Sequence, residues 1–188
     1  MRVLIAEDET LIRLDLKGML EAAGFDVCAE AHDGVEAVEL AAAAAPDIAV
    51  LDVKMPRLDG IEAARKILDE RPIPIVIVSA FTEQSVVRRA AEAGVFGYLA
   101  KPFREEDLLP AIATARARFE ELVAVRDQVD SLAEALAARK AIERAKGLLM
   151  ANQGLSEQVA FARLRRASQT SGRPMRVIAE AIIETLAS

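Results

Sequence analysis

Side chains that can bind a cation or a phosphoryl group follow four of five short apolar segments in the first 101 residues. Two acidic residues follow the first segment, one follows the third, a serine follows the fourth and a lysine follows the fifth. If these segments are parallel strands, their carboxyl ends share one edge of a sheet, where such side chains meet. The set is Glu7, Asp8, Asp52, Ser79 and Lys101.

The chemistry predicted for this set is phosphorylation of Asp52. Crowded carboxylates repel one another unless a divalent cation neutralises them, and oxygen ligands with room for water suit Mg²⁺. An aspartate carboxylate is also a nucleophile toward phosphorus and forms an acyl phosphate. Lys101 and the cation would then offset the charge of the phosphoryl oxygens, and Ser79 would donate a hydrogen bond.

The apolar segments predict five strands, at residues 3–6, 26–29, 48–51, 75–78 and 96–99. Segments with helical periodicity separate them, at residues 11–20, 35–44, 61–68 and 86–93. Strands that alternate with helices predict an α/β domain with a doubly wound parallel sheet, covered by helices on both faces. No Gly-x-Gly-x-x-Gly follows a strand, which argues against a dinucleotide site.

Charge divides the chain into two parts. Residues 139–188 contain nine Lys and Arg against four Glu, a net charge of +5, which leaves −11 of the total −6 for residues 1–138. The asymmetry predicts two domains with different partners, and the partner of the basic second domain is expected to be a polyanion. Solvated helix faces of unequal sign explain the charge equally well.

Composition excludes several classes of protein. Cys28 is the only cysteine, so an intrachain disulfide is excluded. No segment approaches the roughly 18 apolar residues of a membrane-spanning helix, and the amino terminus meets acidic residues too early for a secretory signal. We therefore expect a cytoplasmic protein without a membrane partner.

The motifs of residues 1–120 resemble the receiver domain of two-component response regulators, which implies a flavodoxin-like (βα)5 fold. The resemblance rests on order and spacing, in Glu7-Asp8-Glu9, Asp52-Val-Lys-Met-Pro with Asp59-Gly60, Ser79-Ala80 and Lys101-Pro102-Phe103. It implies that a sensor histidine kinase phosphorylates Asp52. His32, the sole histidine, lies in a predicted turn, so the donor histidine is expected on another protein.

The same resemblance implies roles for the other residues. Mg²⁺ would be held by Asp8, Asp52 and the backbone carbonyl of Lys54, while Ser79 and Lys101 would contact the phosphoryl group. Tyr98 would be the aromatic that rotates inward on activation, although a strand aromatic at a sheet edge would look the same. The Lys101–Pro102 bond would be cis.

Glu7 departs from the resemblance, because receivers usually have Asp at this position. Its longer carboxylate would reach the metal through water.

A rival function is a Mg²⁺-dependent phosphatase that turns over an aspartyl phosphate. Such enzymes usually need an acid two residues after the nucleophile, where this chain has Lys54.

Residues 105–138 predict a helical linker continuous with the last receiver helix, because Pro110 is its only proline and it contains no glycine. Its apolar residues alternate in steps of four and three, a heptad pattern typical of coiled coils, with Arg126 at one core position. One interpretation is a homodimer formed through residues 108–136 on phosphorylation; the other is a helix that packs on its own domains. The seam is Leu108, Ile112, Ala115, Phe119, Leu122, Arg126, Val129, Ala133 and Leu136.

The remaining residues predict a small three-helix bundle. One helix ends near residues 150–154, the second begins after Ser156, and the third begins at Pro174. Val159 and Phe161 are expected in its core. Candidate phosphate contacts are Arg139, Lys146, Arg165, Arg166 and Arg173, although charge and helices alone leave DNA, RNA and protein partners open.

Residues 132–188 resemble an ANTAR domain. The resemblance rests on Arg139-x-x-Ile142-x-x-Ala145-Lys146-Gly147-x-Leu149-Met150, Gly154-Leu155-Ser156, Ala160-Phe161-x-x-Leu164-Arg165 and Val177-Ile178-Ala179. It implies binding to paired RNA stem-loops in nascent transcripts, which prevents transcription termination. The alternative is a phosphorylation-switched adaptor whose bundle binds protein.

Overall fold

The computed structural model describes residues 1–80 and 84–186, and the described residues form two compact units that meet between Val123 and Ala124. The elements are β1 (Arg2–Ala6), α1 (Thr10–Ala22), β2 (Asp26–Ala31), α2 (Gly34–Ala44), β3 (Ile48–Asp52), α3 (Gly60–Glu70), β4 (Ile75–Ser79), α4 (Gln84–Glu92), β5 (Gly97–Ala100), α5 (Glu105–Gln153), α6 (Glu157–Ser171) and α7 (Met175–Leu186). None of the described helices is long and apolar enough to cross a membrane.

The first unit contains one parallel sheet with the strand order β2-β1-β3-β4-β5. Its register places Ala6 beside Leu51 and Asp52 beside Val78, so the strands end at nearly the same level. This confirms the predicted flavodoxin-like fold. Residues that follow β1, β3, β4 and β5 are thereby brought to one edge.

Alternate residues of the strands pack into two separate cores. Leu4 and Leu51 face a core that includes buried residues of α2, α3 and α4. Val3 and Val50 face the other core, which includes buried residues of α1 and α5. Because successive strand side chains point to opposite faces, both sides of the sheet need helices, which explains the continuous apolar runs of β3 and β4.

The first part of the predicted coiled-coil seam belongs to the core of the first unit. Leu108, Ile112 and Ala115 are buried against the sheet, and the Phe119 ring meets Phe96 edge to face at 5.4 Å between centroids. A seam from residue 108 is therefore wrong up to Phe119. Helical periodicity is the same whether a helix buries its apolar face on its own sheet or on another helix.

The second unit contains the carboxyl-terminal part of α5 with α6 and α7. Its core is small and rich in alanine, and α6 begins as predicted, because the Ser156 side chain accepts a hydrogen bond from the Val159 N–H. The buried residues are Ala145, Leu149, Ala160, Leu164 and Ala179. Val159 and Phe161 were expected in this core, but they are 51% and 42% exposed. They flank the buried Ala160, and a helix turns about 100° per residue.

Gly60 lies where β3 and α3 meet, and no side chain fits there. A Cβ at this position would lie 1.8 Å from the Asp52 carbonyl oxygen. We expect Gly60→Ala to lower the free energy of unfolding by about 2 kcal/mol or more, because the backbone must move to relieve the overlap. Urea unfolding followed by circular dichroism measures this.

Gly18→Ala is the matched control, since a Cβ at Gly18 meets no atom within 4 Å and the residue lies on the exposed side of α1. It should raise the stability by roughly 0.5–1 kcal/mol. Equal effects of the two substitutions would contradict the close contact at Gly60.

Candidate functional site

The strand ends form a cavity of about 220 Å³ at the carboxyl edge of the sheet. It joins four residues of the predicted chemistry, from the ends of four different strands, with the loop that follows β3. Among the described residues it is lined by Asp8, Glu9, Asp52, Lys54, Ser79, Ala80 and Lys101. Tyr98 is not part of this lining; it lies half-buried on β5, against the core on the α2–α4 face.

Lys101 bridges two buried carboxylates. Its Nζ lies 2.6 Å from Glu7 Oε2 and 2.7 Å from Asp52 Oδ1. Burial raises the pKa of both Glu7 and Asp52, even though Lys101 opposes the shift. Burial alone would lower the pKa of Lys101, but the hydrogen bonds to Asp52 and Glu7 raise it. The Lys101 ammonium therefore supplies the positive charge that stabilises two carboxylates at a buried site.

The second oxygen of Asp52 is held by the backbone. Asp52 Oδ2 accepts a hydrogen bond of 2.8 Å from the Lys54 N–H, while Oδ1 contacts Lys101. The carboxylate thus has a fixed orientation at the floor of the cavity. Such an orientation favours attack by one oxygen on a phosphorus atom that enters from solvent.

Glu7, Asp8 and Asp52 can present carboxylate oxygens within 4.8 Å of one another. Hard oxygen donors at this spacing fit a small divalent cation such as Mg²⁺, which keeps several waters. Asp8 is exposed, whereas Glu7 is fully buried and engaged by Lys101. The longer glutamate side chain therefore reaches the lysine directly.

A second, more open cavity of about 650 Å³ adjoins the first. It is lined by residues of α1 and of the segment after β5, namely Glu9, Leu11, Ile12, Asp15, Ala80, Lys101, Pro102 and Phe103. The Lys101–Pro102 bond is cis, as the resemblance implied. Leu11 had been included in the helical apolar pattern, yet it is 82% exposed, because Leu16 and Leu20 form the buried side of α1.

The candidate phosphate contacts of the second unit are not alike. Arg139, Arg165, Arg166 and Arg173 are exposed, as expected of a surface for a polyanion. Lys146 requires a correction: its side chain is only 9% exposed, and its Nζ lies 2.7 Å from Glu157 and 3.0 Å from Glu143. These contacts, that with Glu157 first, raise the pKa of Lys146 and join α5 to the first residue of α6.

Two family models match the chain. The response regulator receiver domain matches residues 3–113 and the ANTAR domain matches residues 130–183. With the parallel sheet and the acidic cavity, these matches define the class: the chain belongs to the response regulators, as a receiver domain followed by an ANTAR domain.

Individual relatives agree with this assignment. The chain is 49% identical over 185 residues to the transcriptional regulatory protein PdtaR of Mycobacterium tuberculosis, which covers 98% of this chain and 90% of that protein. It is 38% identical over 112 residues to the chemotaxis protein CheY of Bacillus subtilis, which covers 59% of this chain and 93% of that protein. The likeness to PdtaR, which extends over nearly the whole chain, supports a regulatory role in transcription.

A solved structure is similar to the first unit. The signal receiver domain of a modulated diguanylate cyclase from Desulfovibrio desulfuricans G20 matches with a TM-score of 0.59 and 34% identity, covering 63% of this chain and 95% of that chain. The first unit therefore has an arrangement of strands and helices similar to that of a solved receiver domain.

Removal of the Lys101 charge should destabilise the metal-free protein. Lys101→Met leaves two buried carboxylates without their cation, and we expect the free energy of unfolding at neutral pH to fall by about 2–4 kcal/mol. Mg²⁺ should restore part of this loss, since it neutralises the same carboxylates. Urea unfolding with and without Mg²⁺ measures both effects.

Lys66→Met, on the exposed side of α3, is the control and should leave the stability nearly unchanged. If the two substitutions had the same effect, the bridge formed by Lys101 would contribute nothing to folding.

Proposed function

We propose that this protein is a response regulator that a sensor histidine kinase phosphorylates on Asp52, and that it controls genes by binding paired stem-loops in nascent RNA and preventing transcription termination. The proposal assigns residues 1–120 to the receiver domain, 105–138 to the helical linker and 132–188 to the RNA-binding domain. The observation that carries it is the convergence of Lys101, Glu7 and Asp8 on the carboxylate of Asp52.

Phosphoryl transfer at this site needs one new bond and one broken bond. An oxygen of Asp52 attacks the phosphorus of the donor, the O–P bond forms, and the bond from phosphorus to the donor histidine nitrogen breaks. Mg²⁺, held by Asp8, Asp52 and the Lys54 carbonyl, with Glu7 through water, would supply positive charge to the phosphoryl oxygens. Lys101 then exchanges a carboxylate contact for a phosphoryl oxygen.

The change is proposed to spread through the strand ends. Ser79, which is buried at the end of β4, would donate a hydrogen bond to the phosphoryl group, and Tyr98 would rotate inward. A coupling of about 1–3 kcal/mol between phosphorylation and conformation is enough to shift the population of the active state. The exposed Leu11, beside the larger cavity, offers an apolar contact for the kinase.

RNA binding is proposed for the exposed arginines of the second unit, namely Arg139, Arg165, Arg166 and Arg173. Cations at the surface attract the phosphate backbone, and this attraction weakens as salt rises. Lys146 is not among them, because its side chain is mostly buried and already pairs with Glu143 and Glu157.

A homodimer is proposed through a seam that differs from the one expected from sequence. Val125, Val129, Leu132 and Leu136 follow α5 in steps of four, three and four, and each is 50–70% exposed. This spacing is a heptad pattern that omits Arg126 and Ala133 from the core positions. The chain itself supplies a partner helix with the same period, so the proposed occupant is a second copy.

Charge favours a parallel pair of such helices. In the revised heptad, Glu121 and Arg126 occupy flanking positions five residues apart. In a parallel coiled coil, Glu121 of one helix therefore faces Arg126 of the other helix. Dimerisation would place two bundles on two hairpins and raise the affinity through effective concentration.

One observation favours the adaptor alternative. Val159 and Phe161 are partly exposed on α6, and exposed apolar side chains are suited to a protein partner. The two proposals differ in their dependence on salt, because an RNA complex dissociates as salt rises.

Phosphorylation should strengthen binding to a tandem stem-loop RNA. Protein treated with acetyl phosphate and Mg²⁺ should take up one phosphoryl group and bind the RNA more tightly in a filter assay, whereas Asp52→Asn should do neither. Arg165→Gln should lower the slope of log affinity against log salt by about 1.

Arg65→Gln, at an exposed arginine of α3 in the first unit, is the matched control for the arginine variants and should leave both affinity and slope unchanged. Absence of RNA affinity, or affinity that does not fall with salt, would favour the adaptor. Label uptake by Asp52→Asn would refute the phosphoacceptor assignment.

The seam can be tested separately. Leu132→Glu places a charge at the centre of the proposed seam, and should abolish the dimer of the phosphorylated protein in analytical ultracentrifugation. Val123→Glu is the control, because Val123 is also exposed on α5 but lies outside the heptad core positions. A dimer that survives Leu132→Glu, or is lost equally in the control, would argue against this seam.

A further inference from the structure

The loop between β3 and α3, residues 53–59, carries Lys54 and is held at its two ends by backbone hydrogen bonds. The Val53 N–H donates to the Val78 carbonyl at 3.0 Å, and the Gly60 N–H donates to the Val53 carbonyl at 2.9 Å. These bonds fix where the loop leaves and rejoins the regular elements. Its middle is held by side chains from another part of the chain.

Arg57, in the middle of the loop, pairs with Asp33 at the start of α2. Asp33 Oδ2 accepts a hydrogen bond of 2.7 Å from Arg57 Nε and a second one from Arg57 Nη2. The other oxygen of Asp33 accepts from the N–H groups of Val35 and Glu36, so this carboxylate also caps α2. Asp33 is buried, and both of its carboxylate oxygens accept hydrogen bonds from the protein.

The backbone of Leu58, the next residue of the loop, contacts the same end of α2. A Cβ on Gly34 would lie 2.1 Å from the Leu58 carbonyl oxygen, so the first turn of α2 touches the loop directly. Two successive residues of the loop thus contact two successive residues of the α2 terminus. This contact leaves the loop little room to shift toward α2.

Arg57 adopts a backbone conformation that needs support. Its φ is +64°, in the left-handed region that residues with a Cβ other than Asn and Asp seldom adopt. The charge-assisted contact, in which two guanidinium nitrogens share one carboxylate oxygen, helps to stabilise this conformation. Burial would raise the pKa of Asp33, but hydrogen bonds from the Glu36 N–H, Arg57 and the Val35 N–H lower it, so the carboxylate stays charged.

We propose that Asp33 and Arg57 are a positioning pair for the phosphoacceptor site, which holds the 53–59 loop so that the Lys54 main chain stays in register with Asp52. The Lys54 N–H donates to Asp52, and the Lys54 carbonyl is the proposed third ligand of Mg²⁺. Neither member of the pair touches the reacting atoms. The inference rests on the proposed Mg²⁺ and phosphoryl site.

The same region offers a competing interpretation, a second metal site. His32, Asp33 and Glu36 can bring ligand atoms within 4.8 Å of one another. Asp33, however, is occupied by Arg57 and by two backbone N–H groups, and it is the buried member of the group. The contacts of Asp33 therefore favour a role in holding the loop.

The test compares Mg²⁺ binding by the full-length chain and its variants in isothermal titration calorimetry. Arg57→Gln removes the fork, and Asp33→Asn removes the charge but keeps a good helix cap. Each should weaken Mg²⁺ binding roughly 3- to 10-fold, less than the 10- to 100-fold typical of outer-shell partners, because the pair acts on one ligand only. The double variant should be no weaker than either single one, since both remove the same interaction.

Phosphorylation provides a readout that a purely structural role would not change. The Mg²⁺ concentration for half-maximal label uptake from acetyl phosphate should rise by the same factor, while the rate at saturating Mg²⁺ stays within about twofold. Arg57→Lys keeps the charge without the fork and should fall between wild type and Arg57→Gln.

Arg65→Gln is the matched control, because Arg65 is an exposed arginine of α3 whose nearest carboxylate, on Glu62, lies 3.9 Å away. Unchanged Mg²⁺ affinity in both Arg57→Gln and Asp33→Asn, or an equal loss in Arg65→Gln, would overturn the proposal. Thermal unfolding of each variant identifies any that fail to fold, and Asp33→Asn keeps the test decisive. If wild type takes up no label on Asp52, the proposed function fails, whereas the Mg²⁺ titrations still decide the positioning pair.

Discussion

The ammonium of Lys101 lies between the carboxylates of Glu7 and Asp52, at 2.6 and 2.7 Å, and the carboxyl edge of the sheet depends on this contact. β1 and β3 are neighbours, β1 is followed by the buried Glu7 and β3 ends in the buried Asp52, so without a cation the two carboxylates would repel each other. The lysine comes from the segment after β5, beyond β4, and therefore ties the far side of the sheet to its centre. A phosphoryl group on Asp52 would compete for the same cation. Structure and chemistry are thus linked through one side chain.

Much of this edge could be predicted from sequence, because buried strands have continuous apolar runs and each functional residue directly follows one. The contacts that sequence did not indicate are those between residues far apart in the chain, or those for which several environments give the same pattern. Leu108 fits a coiled-coil seam and a sheet-facing helix equally well. Lys146 has the charge of an RNA contact, and only its burial beside Glu157 shows otherwise. The pairing of Arg57 with Asp33 bridges 24 residues and leaves no periodic signal.

α5 contributes to both units of the chain. Leu108 and Ile112 complete the first core, and Ala145 and Leu149 form part of the second. Neither core is complete without a part of this helix. The receiver match ends at residue 113 and the ANTAR match begins at residue 130, so neither match covers the part of α5 between them. The intervening segment is where the exposed apolar seam begins. Opposite net charges of the two parts, −11 for residues 1–138 and +5 for residues 139–188, fit a division between an acidic input site and a basic output surface.

The two buried lysines also bear on covalent modification. Acylating reagents, including the acyl phosphates that can phosphorylate an aspartate, react with the neutral amine of an accessible lysine. Lys101 and Lys146 are both mostly buried, and each has its pKa raised by two carboxylates, so little neutral amine is available. Lys66 and Lys140 are exposed, so such reagents can reach their side chains. The ion pairs of Lys101 and Lys146 therefore also protect these two amines from acylating reagents.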